Sequence, residues 1–375
     1  MQLQRVEITN KKDINAFLNL PFDIYRGIPQ WVPPLMPGER ARFSPDYVFY
    51  KHSTAAFFLV RDETGKPVGR VAVMDHRPHN EYRGTADALL YLYEAIDDDR
   101  VARMLFEAAE NWARERGLTR LLGPKGFLTA EGHGLLVDGF EHRPAMGIPY
   151  NPPYYVRQWE EVGRMEKVID YLSLFVDRKD VVYPERVRRI AEKIRERRGF
   201  HVPTFRTKAE LLAYADQIQK AYNSAFAPVW AYTPISDDDM KAVIDRMLAI
   251  ADPPLMKLIF KDDTIIGFQF AFPDISAGIQ RAKGRIWPVG WAWLLWEKRR
   301  TKWLNINGNA ILPQYQGTGA NAVLYDEMAK TLIDSRFQYA DLVQVQETNV
   351  PMLSDLESLV PLNFYKRHRV YAREL

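Results

Sequence analysis

The sequence predicts an α/β protein built from two tandem copies of one unit. A hairpin of apolar strands, then a third strand, an amphipathic helix and a fourth strand, occurs twice, about 200 residues apart. The chain has 375 residues, which suits two domains of roughly 170–200 residues. Its hydrophobic content of 47% and charged content of 26% are those of a globular protein.

In the first copy, Ala56–Val60 and Val68–Val73 read as strands joined by the polar turn Arg61–Lys66, with Gly65 at the turn. Ala88–Tyr93 reads as the third strand. The helix that follows, near 100–116, carries Leu105, Ala108, Ala109 and Trp112 on one face. Arg120–Leu122 is the fourth strand. In the second copy the hairpin is Leu255–Phe260 and Ile265–Phe270 around Lys261–Thr264, and the third strand is Trp303–Ile311. The helix over 320–335 has Val323, Leu324, Met328 and Leu332 as its apolar stripe, and Ala340–Val345 follows as a strand. The segment Tyr183–Arg198, opened by Pro184, mixes both signs of charge. Its cations (Arg186, Arg188, Arg189, Lys193, Arg195, Arg197, Arg198) could meet an anion, but the interspersed Glu185, Glu192 and Glu196 favour a solvated connecting helix. The expected domains are 1–177 and 178–375, with 178–199 as a linker helix.

Formal charge is +3, without the basic surplus of a nucleic-acid binder, so no nucleic-acid partner is expected. No cysteine is present, which excludes disulfides, zinc–thiolate sites and a thiol nucleophile. Glu131, His133, Asp138, Glu141 and His142 match no ligand spacing, so no metal is expected. The opening MQLQRVEITNKKD lacks the apolar core of a secretory signal, and the apolar stretch Ile286–Trp296 is shorter than the ~20 residues of a membrane span. A soluble cytoplasmic protein is the expectation.

The sharpest motif is Leu312-Pro-Gln-Tyr-Gln-Gly-Thr-Gly-Ala-Asn321, placed after a strand and before a helix. Backbone N–H groups at a helix start, with the positive end of the helix dipole, suit a pyrophosphate. Gly317 and Gly319 let backbone approach closely and adopt left-handed φ. A strand-to-helix turn also uses glycine for geometry alone.

Gln314-x-x-Gly317-x-Gly319 followed by Ala320 resembles the Q/R-x-x-G-x-G/A loop of the GNAT (GCN5-related) acyl-CoA N-acyltransferases, and the surrounding elements stand in that fold's order. The resemblance implies two GNAT-like domains, each a mixed, mostly antiparallel sheet flanked by helices. It implies acetyl-CoA or another acyl-CoA as co-substrate, held by Ala310, Ile311, Leu312, Gln314, Gln316, Gly317, Thr318, Gly319, Ala320 and Asn321. Asn349, after Glu347-Thr348, stands where such enzymes place an Asn against the pantetheine–phosphate arm. The equivalent loop of the first copy, Glu94-Ala-Ile-Asp-Asp-Asp-Arg100, has no glycine and four carboxylates, which would repel a pyrophosphate and better serve as helix caps. The first copy is therefore expected to be degenerate. It keeps Asn151-Pro-Pro-Tyr-Tyr155 and Trp159–Gly163, which resemble the family's later helix-to-strand segment, while Gly134–Phe140 and Tyr150–Tyr155 resemble N-terminal segments of bacterial two-domain acyltransferases.

The activity implied is transfer of an acyl group, most simply acetyl, from CoA to an amine of a small molecule or peptide. Direct attack in a ternary complex follows from the missing cysteine. Family members often carry a Tyr seven residues past the Asn as general acid; Leu356 stands there. Tyr365 or Ser358 could substitute, and a structural role competes for each. Glu347 is the candidate general base, with capping or surface roles as the alternative. Trp230, Tyr232 and Thr233 fall where the family borders the acceptor, though aromatics on a turn also serve as core.

Two other functional classes stand beside the enzyme. Without the Tyr, the chain could bind or sense acyl-CoA without turnover. Four tryptophans in Ile286–Trp296, followed by Glu297-Lys-Arg-Arg300, could instead dock on a membrane or wall a substrate pocket, or simply pack as an inserted helical segment. The alternation Lys366–Arg369 reads as a charged edge strand.

Overall fold

A computed structural model describes the chain except residues 129–130, 182–184, 231 and 334, and except the side chains of 186, 187, 245, 246 and 249. Tyr183, Pro184 and the Arg186 side chain, named in the linker reading, lie outside the described residues.

The first half runs β1 (Gln2–Arg5), α1 (Lys11–Ile24), β2 (Thr54–Arg61), β3 (Pro67–Asp75), β4 (Asp87–Ala95), α2 (Asp99–Arg114), β5 (Arg120–Gly123), β6 (Leu135–Asp138) and β7 (Glu166–Asp177). The β2–β3 turn forms because Asp62 Oδ1 accepts the Thr64 and Lys66 N–H groups while Gly65 takes φ +83°. Asp98 caps α2 by accepting the Arg100 N–H at 2.9 Å, as the acidic loop led one to expect. The stripe Leu105, Ala108, Ala109 and Trp112 is buried against the sheet with Val71, Val73 and Leu90.

The second half runs α3 (Glu185–Arg198), β8 (Phe200–His201), α4 (Ala215–Phe226), α5 (Asp237–Ile250), β9 (Met256–Lys261), β10 (Thr264–Pro273), α6 (Gly290–Arg300), β11 (Trp303–Ile311), α7 (Ala320–Ile333), β12 (Tyr339–Gln346), α8 (Val350–Glu357) and β13 (Phe364–Glu374). Val323 and Leu324 of α7 are buried with Ile259, Ile266 and Ile311, and Ala191 of α3 joins the same cluster.

The chain divides into two compact units. The first comprises Met1–Leu172, Ser276–Trp296 and Tyr365–Leu375; the second comprises Ser173–Ile275 and Glu297–Phe364. These are not the contiguous spans 1–177 and 178–375. The last strand and the Trp-rich segment, which chain order assigns to the second copy, fold with the first. Chain order fixes where a strand starts; it does not fix which sheet accepts it.

In the first unit the strand order is β1-β2-β3-β4-β5-β13-β7, and β6 also pairs β13. In the second it is β7-β12-β11-β10-β9-β8, with the residues of β7 from Ser173 onward. Each sheet is mixed and mostly antiparallel. The parallel pairs occupy matching places, β4 with β5 and β11 with β12.

Candidate functional site

The second unit opens where its parallel pair ends. β11 and β12 pair from Trp303↔Tyr339 to Ile306↔Leu342, and each then continues, to Ile311 and to Gln346. A bulge lies just past that point: Gln269 of β10 pairs Asn309, but Ala271 pairs Ile306, and Gly308 takes φ +105°. Asn309 Oδ1 is buried there without a partner among the described residues, while its amide donates to the Tyr325 hydroxyl at 3.3 Å.

The loop after β11 makes a short 3₁₀ turn at Pro313–Tyr315 and enters α7 at Ala320. Leu312 N–H is held by Ile266 O at 2.9 Å, Gln316 Nε2 donates to Ile311 O at 3.2 Å, and the Thr318 hydroxyl donates to Tyr315 O at 2.6 Å. Gly317 and Gly319 have φ +71° and +85°. This loop and the start of α7 line a cavity of about 360 Å³, closed by Ile190 of α3 and by Asp355, Ser358 and Leu359 at the end of α8. Asn321 lines it too, its amide donating to Asp355 at 2.8 Å, while its buried Oδ1 has no partner among the described residues. Tyr325 lines the cavity from α7, and burial, with the Asp355 charge adding to it, holds its hydroxyl protonated far above the usual range. The polar groups of the cavity suit a ligand with both phosphates and amides: backbone N–H groups at a helix start, a neutral phenol and the unpartnered Asn321 Oδ1, with the Asn309 Oδ1 nearby on β11.

No protein-family model matches the chain. Its sequence is 25% identical over 378 residues to Protein YghO of Escherichia coli (strain K12), covering 98% of this chain and 94% of that protein. It is 26% identical over 384 residues to the bacterial ceramide synthase of Caulobacter vibrioides (strain NA1000 / CB15N), covering 100% of this chain and 98% of that one. Among solved structures, a tandem GNAT protein from the clavulanic acid biosynthesis pathway superposes with TM-score 0.56 at 11% identity, over 100% of this chain and 98% of the other. The chain has the tandem GNAT fold. A GCN5-related glucosamine N-acetyltransferase region in a fungal multi-domain GH3 β-N-acetylglucosaminidase superposes at TM-score 0.55 and 12% identity, over 99% of this chain and 38% of that one.

Within the second GNAT unit the structure gathers part of the expected set. Ile311, Gln316, Gly317, Gly319, Ala320 and Asn321 line the cavity. Ala310, Leu312, Gln314 and Thr318 build the strand end and loop around it, with Ala310 paired to Phe268 of β10. Asn349 and Glu347 are not among the lining residues. Asn349 caps α8, its Oδ1 accepting the Met352 N–H at 3.3 Å, and Glu347 is half-buried at the end of β12. Tyr365 folds with the first unit, its ring centroid 5.0 Å from that of His142. Tyr232 and Thr233 are buried, and the Tyr232 hydroxyl donates to Asn223. Trp230 reaches β12 through its backbone, its carbonyl accepting from Gln346 Nε2 at 3.2 Å. Sequence reasoning missed Ile190, Tyr325 and Asp355, because nothing along the chain marks α3 and α8 as walls of this loop.

The first GNAT unit has the same bulge, filled in. Arg70 and Glu94 are the last pair before it, as Gln269 and Asn309 are in the second unit, and Leu92 takes φ +53° at the bulge. Glu94 is held by Arg70 at 3.5 Å and by the Tyr25 and Tyr155 hydroxyls at 2.7 and 2.8 Å; burial nevertheless raises its pKa. The Tyr155 hydroxyl accepts the Ala95 N–H, Tyr154 donates to Ala95 O, and Gln158 donates to Ile96 O. Arg157 binds Asp97 and Asp99 of the acidic loop. At this strand end Tyr154, Tyr155 and Gln158 hold backbone groups of Ala95 and Ile96, where in the second unit Gln316 holds Ile311 O. Glu131, weighed as a metal ligand, pairs Arg42 at 2.8 Å, and burial pushes His133 down to about 3.

Proposed function

We propose that the protein is an acyl-CoA-dependent N-acyltransferase whose donor site is the β11–α7 loop of the second unit. The observation that carries the reading is the cavity that this glycine loop forms between the end of β11 and the start of α7. The pyrophosphate would meet the N–H groups at Gly317–Asn321, and the pantetheine amides would meet β11 near Ala310–Leu312 and the orphan oxygen of Asn309. Asn349, at the cap of α8, is a further proposed contact of that arm. The relative named a bacterial ceramide synthase supports the amide product, since a ceramide is the N-acyl derivative of a long-chain amino alcohol. It also favours a long-chain amine over a peptide as acceptor.

The reaction forms a C–N bond from a neutral amine to the thioester carbonyl and breaks the C–S bond. The amine proton leaves to a base and the CoA thiolate takes up a proton. Glu347 is the proposed base, acting through water. Trp230, beside the end of β12, is the proposed border of the acceptor.

Thermal stability should be followed with acetyl-CoA and with long-chain acyl-CoA, for the native chain and for Gly317→Glu. Ligand at ~100 times its dissociation constant should stabilise the native chain by about 2.7 kcal/mol and leave the variant unmoved. No response in either protein would sink the donor site. Binding without release of free thiol, with short or long amines, would leave a binding protein and remove the transferase.

A further inference from the structure

Between β10 and β11 the chain presents an apolar surface that the donor site does not use. Trp287 is 78% exposed and Val289 63%, and Trp291, Trp293 and Leu295 on α6 are exposed as well. Over Trp291–Trp296 the helix carries no polar side chain, and Trp291, Ala292, Trp293, Leu295 and Trp296 are exposed. Water is a poor environment for so contiguous a patch.

The patch is held firmly. Met36 N–H donates to Gly284 O at 2.9 Å, and Gln280 donates to Pro29 O and Trp31 O at 2.8 Å each. A side chain on Gly284 would strike Pro34 O at 2.2 Å, and one on Gly290 would strike Arg285 O at 1.7 Å. The segment is therefore built to hold its tryptophans outward rather than collapse over them.

Its flanks are cationic on both sides. Arg281, Lys283 and Arg285 precede the tryptophans and Arg299, Arg300 and Lys302 follow them, while the half-buried Lys298 donates to Ala251 O at 2.8 Å. The single acid in this stretch, Glu297, is buried and faces Arg300 at 3.4 Å. Arg281 lies over the rings of Trp293 and Trp296, with its guanidinium carbon 5.7 and 4.7 Å from their centroids. Indole rings prefer the headgroup level of a bilayer, and lysine and arginine beside them are drawn to anionic lipid. No described helix is long and apolar enough to cross a membrane, so the geometry is one of lying on the surface.

We propose that Trp287–Trp296, with its cationic flanks, docks the protein on the surface of an anionic lipid bilayer. Charge complementarity selects this occupant. The proposal stands independently of the donor-site reading.

The test is co-sedimentation with vesicles of phosphatidylcholine alone and of phosphatidylcholine mixed with phosphatidylglycerol. The native chain should sediment with the mixed vesicles and little with the neutral ones. Trp287→Ser/Trp291→Ser/Trp293→Ser should abolish capture while keeping the native melting temperature, because these side chains are exposed. Arg285→Glu/Arg299→Glu should weaken capture by more than about tenfold and make the remainder salt-insensitive. No capture of the native chain, or capture unchanged in the tryptophan variant, overturns the proposal. So does concentration-dependent self-association that the tryptophan variant abolishes in the absence of vesicle binding, which would make a second copy the occupant.

Discussion

Gly317 and Gly319 both have left-handed φ, yet they need glycine for different reasons. A Cβ on Gly319 would lie 2.1 Å from Ile194 Cδ1 of α3, whereas one on Gly317 meets nothing within 4 Å. Gly319→Ala should therefore cost about 1–3 kcal/mol, from overpacking and φ strain together. Gly317→Ala should cost about 1 kcal/mol, from φ alone. Urea titration of both variants checks the order; equal losses would show that Ile194 moves aside freely. Lys125 offers a second residue-scale test. Its ammonium lies 3.1 Å from His79 Nδ1, His79 Nε2 lies 3.0 Å from Asp87, and Arg120 closes the cluster on Asp87 at 2.6 Å. Burial pushes Lys125 from 10.5 down to about 7. Between those values the unfolded chain binds the proton and the folded chain does not, so this group makes stability rise with pH across that window, on the order of a few kcal/mol in all. Below about 7 both states are protonated and the penalty is constant. Lys125→Met should flatten the melting-temperature profile from pH 7 to 10; a profile parallel to the native one would refute the assignment.

At the scale of elements, α8 and the strand end of β4 make contrasting predictions. Asn349→Ala removes the α8 cap and should cost about 0.5–2 kcal/mol. Asn349→Asp keeps a capping oxygen and should restore most of that loss. A ligand response that fails in the stable Asp variant would mark the amide nitrogen as a ligand contact, and a full response would leave Asn349 as a cap alone. In the first unit, Tyr155→Phe strips the Ala95 N–H and Glu94 of a shared partner and should cost about 1–3 kcal/mol. Acyl-CoA stabilisation should be unchanged, because that strand end is filled by protein. A changed ligand response in Tyr155→Phe would contradict the degeneracy of the first copy.

At the scale of the whole molecule, the last strand decides how the chain can be divided. Residues from Tyr365 onward belong to the first unit, where Tyr371, Ala372 and Arg373 pair Gly123, Leu122 and Leu121 of β5. Tyr371 is fully buried in the core that holds Trp159 and Trp112. A chain ending at Phe364 should therefore lose hydrogen-exchange protection in β2–β5 while β9–β12 keep theirs. Loss confined to β9–β12 would reverse the assignment. For the same reason, a fragment of residues 1–177 should not form a stable domain, whatever its own core contributes.

Much of this was legible in the residues themselves. Period-two apolar runs located both hairpins, and β11 spans Trp303–Ile311 as expected. Apolar stripes located α2 and α7, and the Gly317-x-Gly319 turn located the loop, because each signal is local: alternation, helical spacing, and a glycine where φ must be positive. The acidic run Asp97–Asp99 likewise announced a copy unsuited to phosphate. Only the tertiary structure decided that Ile190, Tyr325 and Asp355 wall the loop, and that Tyr154, Tyr155 and Gln158 occupy its counterpart. It alone assigned the final strand and the tryptophan segment to the first unit. Those outcomes depend on which surfaces meet across hundreds of residues, and burial between distant segments leaves no periodic trace in either segment alone.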